Sequence, residues 1–521
     1  MLTTLRQFVC RHPAIVLGIA AIFVFCCHLL TFMDYPTAWL DEAWILEIGR
    51  STIFDVHPEN SIVLFPSTGD TLNPMGPHLS YVFSFLQESI FRLTRSFPCC
   101  RLFVLSSLPL ATILLYLWLR AKNITTESAL LAAAFFLTDL NATICVRWSR
   151  PDVWTLVLAF LALTLLAQSR HVSDQRRICA CILAGGISAL MPFFWITSAS
   201  LLPLIAWEAV ISERDENGSI KVNRAIRNAG YFIAAGLLTT VVILLPHLPN
   251  FNAVLEQFLN HSEIGTGFNG FGTFSSRLIF FIKIACRSPF IWILALAGVF
   301  LARDHRVHAG LFALVCGVLL STRIHPYRVL QLQPFLYLFA ALAIDRLTAF
   351  PRKRIVTLPL LGALASYFTL SVLVLNYAGW STDNNYRAFS DKFKSTAPEN
   401  LDRVYLCDIE YETYFPGREL GWRMYSYQDH KYFFDPSQSA NLIDKIDAVV
   451  VTSASWRPRN LDKQLDILAK HGFRKTSGFT MPPKKQNRIK AALTDILYAH
   501  GYPSCDFYTR SPKAKSHLKR P

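Results

Sequence analysis

Residues 13–33 read PAIVLGIAAIFVFCCHLLTFM, and residues 34–42 that follow read DYPTAWLDE. An apolar run of about 20 residues is what one α-helix needs to cross a bilayer. Arg6 and Arg11 stand before it, and two carboxylates, Asp41 and Glu42, stand just beyond it. A secretory signal has the same basic and apolar form, but a convincing small-residue cleavage site is missing before Asp34. The run is therefore read as a retained membrane helix whose amino-terminal side faces the cytoplasm.

Ten further apolar runs follow, at roughly 102–119, 128–145, 153–168, 178–196, 197–211, 229–247, 279–301, 307–322, 329–345 and 355–376, giving about eleven spans. Composition points the same way. Of 521 residues, 52% are hydrophobic and 17% charged, with a mean hydropathy of +0.32. Soluble globular chains carry more charge, and disordered ones fewer apolar residues. The net charge of +15 would suggest nucleic acid in a soluble protein. In a membrane protein it reports cytoplasmic loops and anionic lipid, so membrane lipid is an expected partner and nucleic acid is not.

One segment decides the orientation. Residues 78–93, HLSYVFSFLQESIFRL, are apolar but short and interrupted by Gln87 and Glu88. If they do not span, basic residues such as Arg120, Arg176, Arg224, Arg303 and Arg354 fall in cytoplasmic loops, and mainly Arg147, Arg150, Arg323 and Arg328 face out. If they span, the two sets exchange sides. The excess of Lys and Arg inside favours the first arrangement. Residues 34–100 then form one long outer loop, with 78–93 as a juxtamembrane helix, and a loop of that length is usually functional.

Charge density places a boundary near Trp380: about 13% of residues 1–379 are charged against about 27% of residues 380–521. The expected architecture is a polytopic α-helical membrane protein, with a membrane domain over 1–379 and a small C-terminal α/β extracytoplasmic domain over 380–521. In the latter, RVYLCDI (403–409) and DAVVVTS (447–453) read as strands, and Leu461–His471 as a polar helix before another strand. The last ten residues read as a disordered basic end. Cys407 and Cys505, alone in the tail, are candidates for a disulfide if it lies in an oxidising compartment.

Chemistry concentrates in the outer segments. In Trp39-Leu40-Asp41-Glu42-Ala43-Trp44 two acids sit at the membrane interface, where an acid is costly unless it faces a cavity, an ion or a partner. Low dielectric raises a carboxylate pKa and makes it a usable general base. The plainer reading is an acidic helix start favoured by the dipole.

A basic start, one span and then LDEAWILEIGR (40–50) resemble the GT-C glycosyltransferases of the protein O-mannosyltransferase and aminoarabinose-transferase type. The resemblance continues at Asn73-Pro74-Met75-Gly76-Pro77-His78, at Arg150-Pro151-Asp152 and at His325-Pro326-Tyr327-Arg328, and covers residues 1–379. It implies a GT-C fold and a polyprenyl-phosphate sugar as donor. It also implies that Asp41 acts as general base on the acceptor hydroxyl while the lipid phosphate leaves from the opposite face, with inversion. Glu42 would orient the acceptor or a metal ion. Two adjacent acids are too few ligands for a dedicated site, so no metal is expected to be obligatory and a divalent cation is optional. Asp152 would add an acid of the second outer loop to the same cavity. Its plainer reading is a salt bridge with a neighbouring arginine.

A departing phosphate needs cations. Lys283 and Arg287, four residues apart in IFFIKIACRSPFIWILAL (279–296), are expected to share a helical face. Arg323, His325, Tyr327 and Arg328 cluster at another outer rim, and arginine forks suit phosphate oxygens. Snorkelling at helix ends is the competing explanation for each. The expected function is transfer of a sugar from a polyprenyl-phosphate donor to a glycan, lipid or protein acceptor of the cell envelope, outside the cytoplasmic membrane. A multi-span transporter or lipid-carrier flippase is the alternative, though no internal duplication of the spans is visible. A third reading makes the tail a polymer-binding or assembly module. The sequons at Asn123, Asn141 and Asn217 fall inside a span or on the cytoplasmic side, and no Walker loop, G-x-S-x-G or H-E-x-x-H occurs.

Overall fold

The computed structural model describes residues 12–34, 40–50, 63–66, 72–73, 81–211, 222–252, 274–301, 305–321, 326–349, 353–407, 412–427, 446–453, 461–483 and 501–510. The chain divides into two compact units: residues 1–30 with 102–376, and residues 31–101 with 377–521.

The first unit is helical. A helix lies at each of the eleven apolar runs. By length and composition four helices of the chain can cross a membrane, Phe97–Ala121, Asp174–Phe194, Val222–Leu244 and Thr357–Gly379. Two bent pairs raise the number to six if each pair is one span. Four apolar helices, Pro13–Leu29, Asp152–Gln168, Ile196–Ile211 and Arg306–Leu320, are shorter. Val222–Leu244 turns Ile226, Ile233, Leu237 and Val241 outward, as lipid contact requires.

Two of the runs are not continuous helices. Thr126–Leu137 and Leu140–Arg147 meet at 47°, and Arg277–Ala285 and Pro289–Leu301 at 100°. A helix broken in an apolar setting frees backbone groups that must find partners in the protein. Here the Asp139 carboxylate accepts from the Ala142 amide at 2.9 Å and starts the second helix of the first pair. The Tyr367 hydroxyl accepts from the Phe290 amide at 3.0 Å at the start of Pro289–Leu301. Close backbone approach fixes that helix against Gln333–Thr348, where a Cβ on Gly298 would overlap the Phe339 carbonyl.

The second unit is built on a seven-stranded sheet in the order β2-β1-β4-β3-β5-β7-β6. The strands are β1 Val63–Pro66, β2 Leu72–Asn73, β3 Arg403–Cys407, β4 Arg423–Tyr427, β5 Ala448–Thr452, β6 Phe473–Phe479 and β7 Cys505–Arg510. β1, β4, β3 and β5 run parallel, while β2, β7 and β6 pair antiparallel with their neighbours. The Tyr386–Thr396 helix, capped by the Asn385 side chain, lays Phe389 and Phe393 into a core with Trp422, Met424 and Phe507. β5 separates β3 from β7, with Cys407 beside Val451 and Cys505 beside Thr452. At two strand spacings, roughly 10 Å, these cysteines are out of disulfide reach.

The division differs from the one expected from charge density. It changes at Tyr377, close to the expected Trp380, but residues 31–101 join the C-terminal residues. The cause is pairing between distant segments: β1 extends the sheet at β4, and Phe91, Phe97 and Cys100 enter the core beside Tyr414 and Phe415. The residues expected to form a disordered basic end, 512–521, lie outside those described.

Candidate active site

In the second unit Asp41 is the second residue of the Leu40–Gly49 helix, and its side chain lies outside what is described. Glu42, the next residue, is fully buried and takes a two-pronged ion pair from Arg101, at 2.9 Å from Nε and 2.7 Å from Nη2. The Arg101 Nη1 donates to the Phe32 carbonyl at 2.8 Å and the Met33 carbonyl at 3.3 Å, and its guanidinium sits over the Phe97 ring. A fork–fork pair fixes orientation as well as distance. The first turn of the helix that carries Asp41 is thereby tied to the segment before it.

One turn further the same helix carries Glu47. Its carboxylate accepts from the Tyr414 hydroxyl, from Arg418 at 2.7 Å and from Arg50 at 2.9 Å. Arg418 also reaches Glu88 at 2.9 Å, and Arg92 closes on Glu88 at 2.9 Å. Burial pushes Glu47 up, but Arg50, Arg418 and the Tyr414 hydroxyl outweigh it and hold its carboxyl below the usual range. At Glu88 burial wins, and its carboxyl lies above that range despite Arg418 and Arg92. Glu88, which interrupts the 78–93 run, thus has its counter-ion on the Tyr414–Glu419 helix of the same unit. Sequence reasoning passed over Glu47, Arg101, Tyr414 and Arg418. The available signal was an acid inside an apolar helix, which needs a basic partner.

In the first unit Asp152 begins the Asp152–Gln168 helix, fully buried, with Arg150 Nε at 2.8 Å from its carboxylate. The Arg150 guanidinium faces the Trp195 ring. Asp139, at the first break, is also fully buried. It accepts from Ser288 Oγ at 2.6 Å, from the Tyr337 hydroxyl at 3.2 Å and from Gln333 Nε2 at 3.4 Å. Asn141 Nδ2 donates to the Ile284 carbonyl at 3.3 Å, so the two helix breaks are bonded to each other. Arg147 is buried beside His28 and Asn376, at 2.9 Å from each.

The expected shared face of Lys283 and Arg287 is not formed. The helix Phe274–Ala285 stops before Arg287, which lies in the 100° bend, while Lys283 remains on the helix and is exposed. The Ser-Pro pair at 288–289 explains the stop: the residue before a proline is driven from helical geometry, and proline favours a helix start. Arg287 is half-buried, and its Nη1 is buried with no hydrogen-bond partner among the described residues. Arg323 and His325 lie outside the described residues. Tyr327 and Arg328 lie in the Pro326–Val329 turn; the Tyr327 side chain is not described, and Arg328 is half-buried. Among the described residues no three His, Cys, Asp or Glu side chains are grouped to hold a metal ion.

Arg287 thus offers a cation at one helix break, and the Arg150–Asp152 pair holds a cation and an acid at the start of another helix. No family model and no curated protein matches the sequence. Solved structures do. ArnT from Cupriavidus metallidurans bound to undecaprenyl phosphate is similar at 12% identity with a TM-score of 0.56, over 95% of this chain and 98% of that one. Its apo form gives a TM-score of 0.53 at 12% identity, over 95% and 97%. Arabinofuranosyltransferase AftD from Mycobacteria gives 0.55 at 15% identity, over 95% of this chain and 39% of that one. The shared feature is the GT-C fold, and the chain is a multi-pass membrane protein of that fold.

Proposed function

We propose that this chain is a glycosyltransferase of the cytoplasmic membrane that moves a sugar from a polyprenyl-phosphate carrier to an envelope acceptor, a glycan, lipid or protein, on the outer face. The observation that carries the reading is Arg287. A guanidinium whose buried Nη1 has no partner among the described residues, set in a broken apolar helix, is suited to an anion that arrives from the membrane. The similar fold of ArnT, solved with undecaprenyl phosphate, supports a lipid phosphate as that anion.

In this reading the Asp41 carboxylate accepts the proton of the acceptor hydroxyl as its oxygen attacks the anomeric carbon. The carbon–phosphate oxygen bond breaks on the opposite side, and configuration inverts. Arg287 stabilises the departing phosphate, with Lys283 and the rim residues Arg323, His325, Tyr327 and Arg328 as further contacts. Asp152, held by Arg150, supplies a second acid to the acceptor side. Glu42 acts through Arg101, fixing the helix that carries Asp41, and a divalent cation is optional rather than obligatory. The C-terminal residues lie outside the cytoplasm and contribute to acceptor recognition.

The two bonded helix breaks also favour a second reading, since broken spans recur in secondary transporters. The purified chain in nanodiscs, assayed by mass spectrometry with a panel of polyprenyl-phosphate sugars and envelope extracts, decides. Sugar transfer without any ion gradient supports the enzyme. Gradient-dependent lipid or sugar movement in vesicles with no new glycosidic bond supports the transporter.

A further inference from the structure

Arg287 lies in the bend at residues 286–288, between Phe274–Ala285 and Pro289–Leu301, and the bend and every group that meets it belong to the first unit. Inside an intact helix a side chain is placed by the helix's own i→i−4 bonds. At a break those bonds are lost, and the backbone takes its geometry from whatever else binds it. The demand on Arg287 is strict, since a binding group has to be held within about 0.5 Å of its productive position.

On the amino-terminal side the bend tightens on itself. The Arg287 amide donates to the Ile284 carbonyl at 3.1 Å and the Ser288 amide to the Ala285 carbonyl at 3.0 Å. Asn141 Nδ2, from Leu140–Arg147, donates to the same Ile284 carbonyl at 3.3 Å. On the other side Ser288 stands at the cap of Pro289–Leu301, where its carbonyl accepts from the Trp292 amide at 3.3 Å. A cap serine ordinarily turns its hydroxyl onto the second or third amide of its own helix. Ser288, 2% exposed, instead donates its hydroxyl to Asp139 at 2.6 Å. The capping falls to Tyr367 of Thr357–Gly379, whose hydroxyl accepts from the Phe290 amide at 3.0 Å and the Ile291 amide at 3.4 Å. The local bond is given up for a distant one, and a distant group performs the local task.

Asp139 is itself fixed by the Ala142 amide, Tyr337 and Gln333, all neutral donors, with no basic partner among the described residues. Burying a carboxylate without a cation is unfavourable. An apolar residue would fill the break with less penalty, but it would not bind Ser288, the residue next to Arg287.

We propose that Asp139 and Tyr367 are positioning residues for Arg287. Asp139 acts through Ser288 and Tyr367 through the Phe290 amide, and together they hold the bend so that the guanidinium is in place before a lipid phosphate arrives. Neither touches the phosphate. The inference rests on Arg287 being the phosphate-binding group.

The test is a double-mutant cycle on the full chain in nanodiscs, with undecaprenyl phosphate as the probe and its Kd as the readout, so that it needs no turnover. Arg287→Ala should weaken binding about ten- to a hundredfold, and Ser288→Ala and Tyr367→Phe about tenfold each with Arg287 intact. Asp139→Ala should match Ser288→Ala; if it fails to fold, Ser288→Ala reads the same bond. Ser288→Thr, which keeps the hydroxyl, should bind as wild type. In the Arg287→Ala background Ser288→Ala and Tyr367→Phe should add no further loss, because no guanidinium is left to place. A merely structural role would show the same loss in both backgrounds, and that result overturns the proposal. Wild-type binding by folded Ser288→Ala and Tyr367→Phe, with loss in Arg287→Ala, overturns it too while leaving Arg287 as the phosphate group. Wild-type binding by Arg287→Ala removes the phosphate assignment itself, and the positioning role with it.

Discussion

Adjacent acids in the first outer segment have different prospects. Glu42 has both oxygens on the Arg101 guanidinium in a fully buried pair. Glu42→Gln removes the charge that Arg101 was buried against, and breaking such a pair costs about 3–5 kcal/mol. The expected result is lower folding yield and a lower unfolding midpoint, with turnover per folded molecule close to wild type. Asp41→Asn is expected to do the reverse. It keeps shape but cannot accept a proton, and turnover should drop roughly 10²- to 10⁴-fold with donor binding retained. Kinetics and donor affinity of both variants in nanodiscs separate the roles; full turnover in Asp41→Asn would transfer the base to Asp152. Arg287→Ala should weaken donor use about ten- to a hundredfold, the worth of one charge-assisted contact in a partly dry site. Wild-type donor kinetics in that variant would leave the phosphate to the Arg323–Arg328 rim.

At the scale of elements, the helices Leu40–Gly49, Tyr81–Thr94 and Tyr414–Glu419 are joined by Arg418, which bridges Glu47 and Glu88. Arg418→Met leaves two buried carboxylates short of a counter-ion and should destabilise the second unit by about 3–5 kcal/mol in chemical unfolding. Glu47 gives a pH signature. Its folded carboxyl lies below the ordinary value of 4.5, so its contribution is complete above 4.5 and fades as pH falls through the lower folded value. The unfolding-midpoint difference between wild type and Glu47→Gln should be constant above 4.5 and shrink below it. Glu88, raised by burial, works in the opposite sense: its cost appears as pH rises above 4.5. A constant difference through acid pH would remove Glu47 as the group responsible.

For the whole molecule, the excess of Lys and Arg in one set of loops gives the expected orientation. A reporter fused after Arg354 should read cytoplasmic, and one fused after Trp380 extracytoplasmic. Both on one side would mean that the last apolar helix, Thr357–Gly379, does not cross. An exchange of the two would mean that residues 78–93 span, and would place Asp41 and the proposed chemistry in separate compartments.

The sequence alone determined the helical membrane body, because a bilayer imposes a local demand: each crossing needs its own apolar run, and runs are read without knowing their neighbours. It also pointed to the GT-C fold through the acids after the first span, and structural similarity carries that fold. Tertiary structure decided which distant groups meet. No local pattern pairs β1 with β4, Glu88 with Arg418, or Glu42 with Arg101, since each joins residues far apart in the chain. The break at Arg287 was half visible in Ser288-Pro289, but not that Ser288 there donates to Asp139 at the other break. Hydrophobic periodicity is set residue by residue, whereas a buried charge is tolerated only where the folded chain delivers its partner.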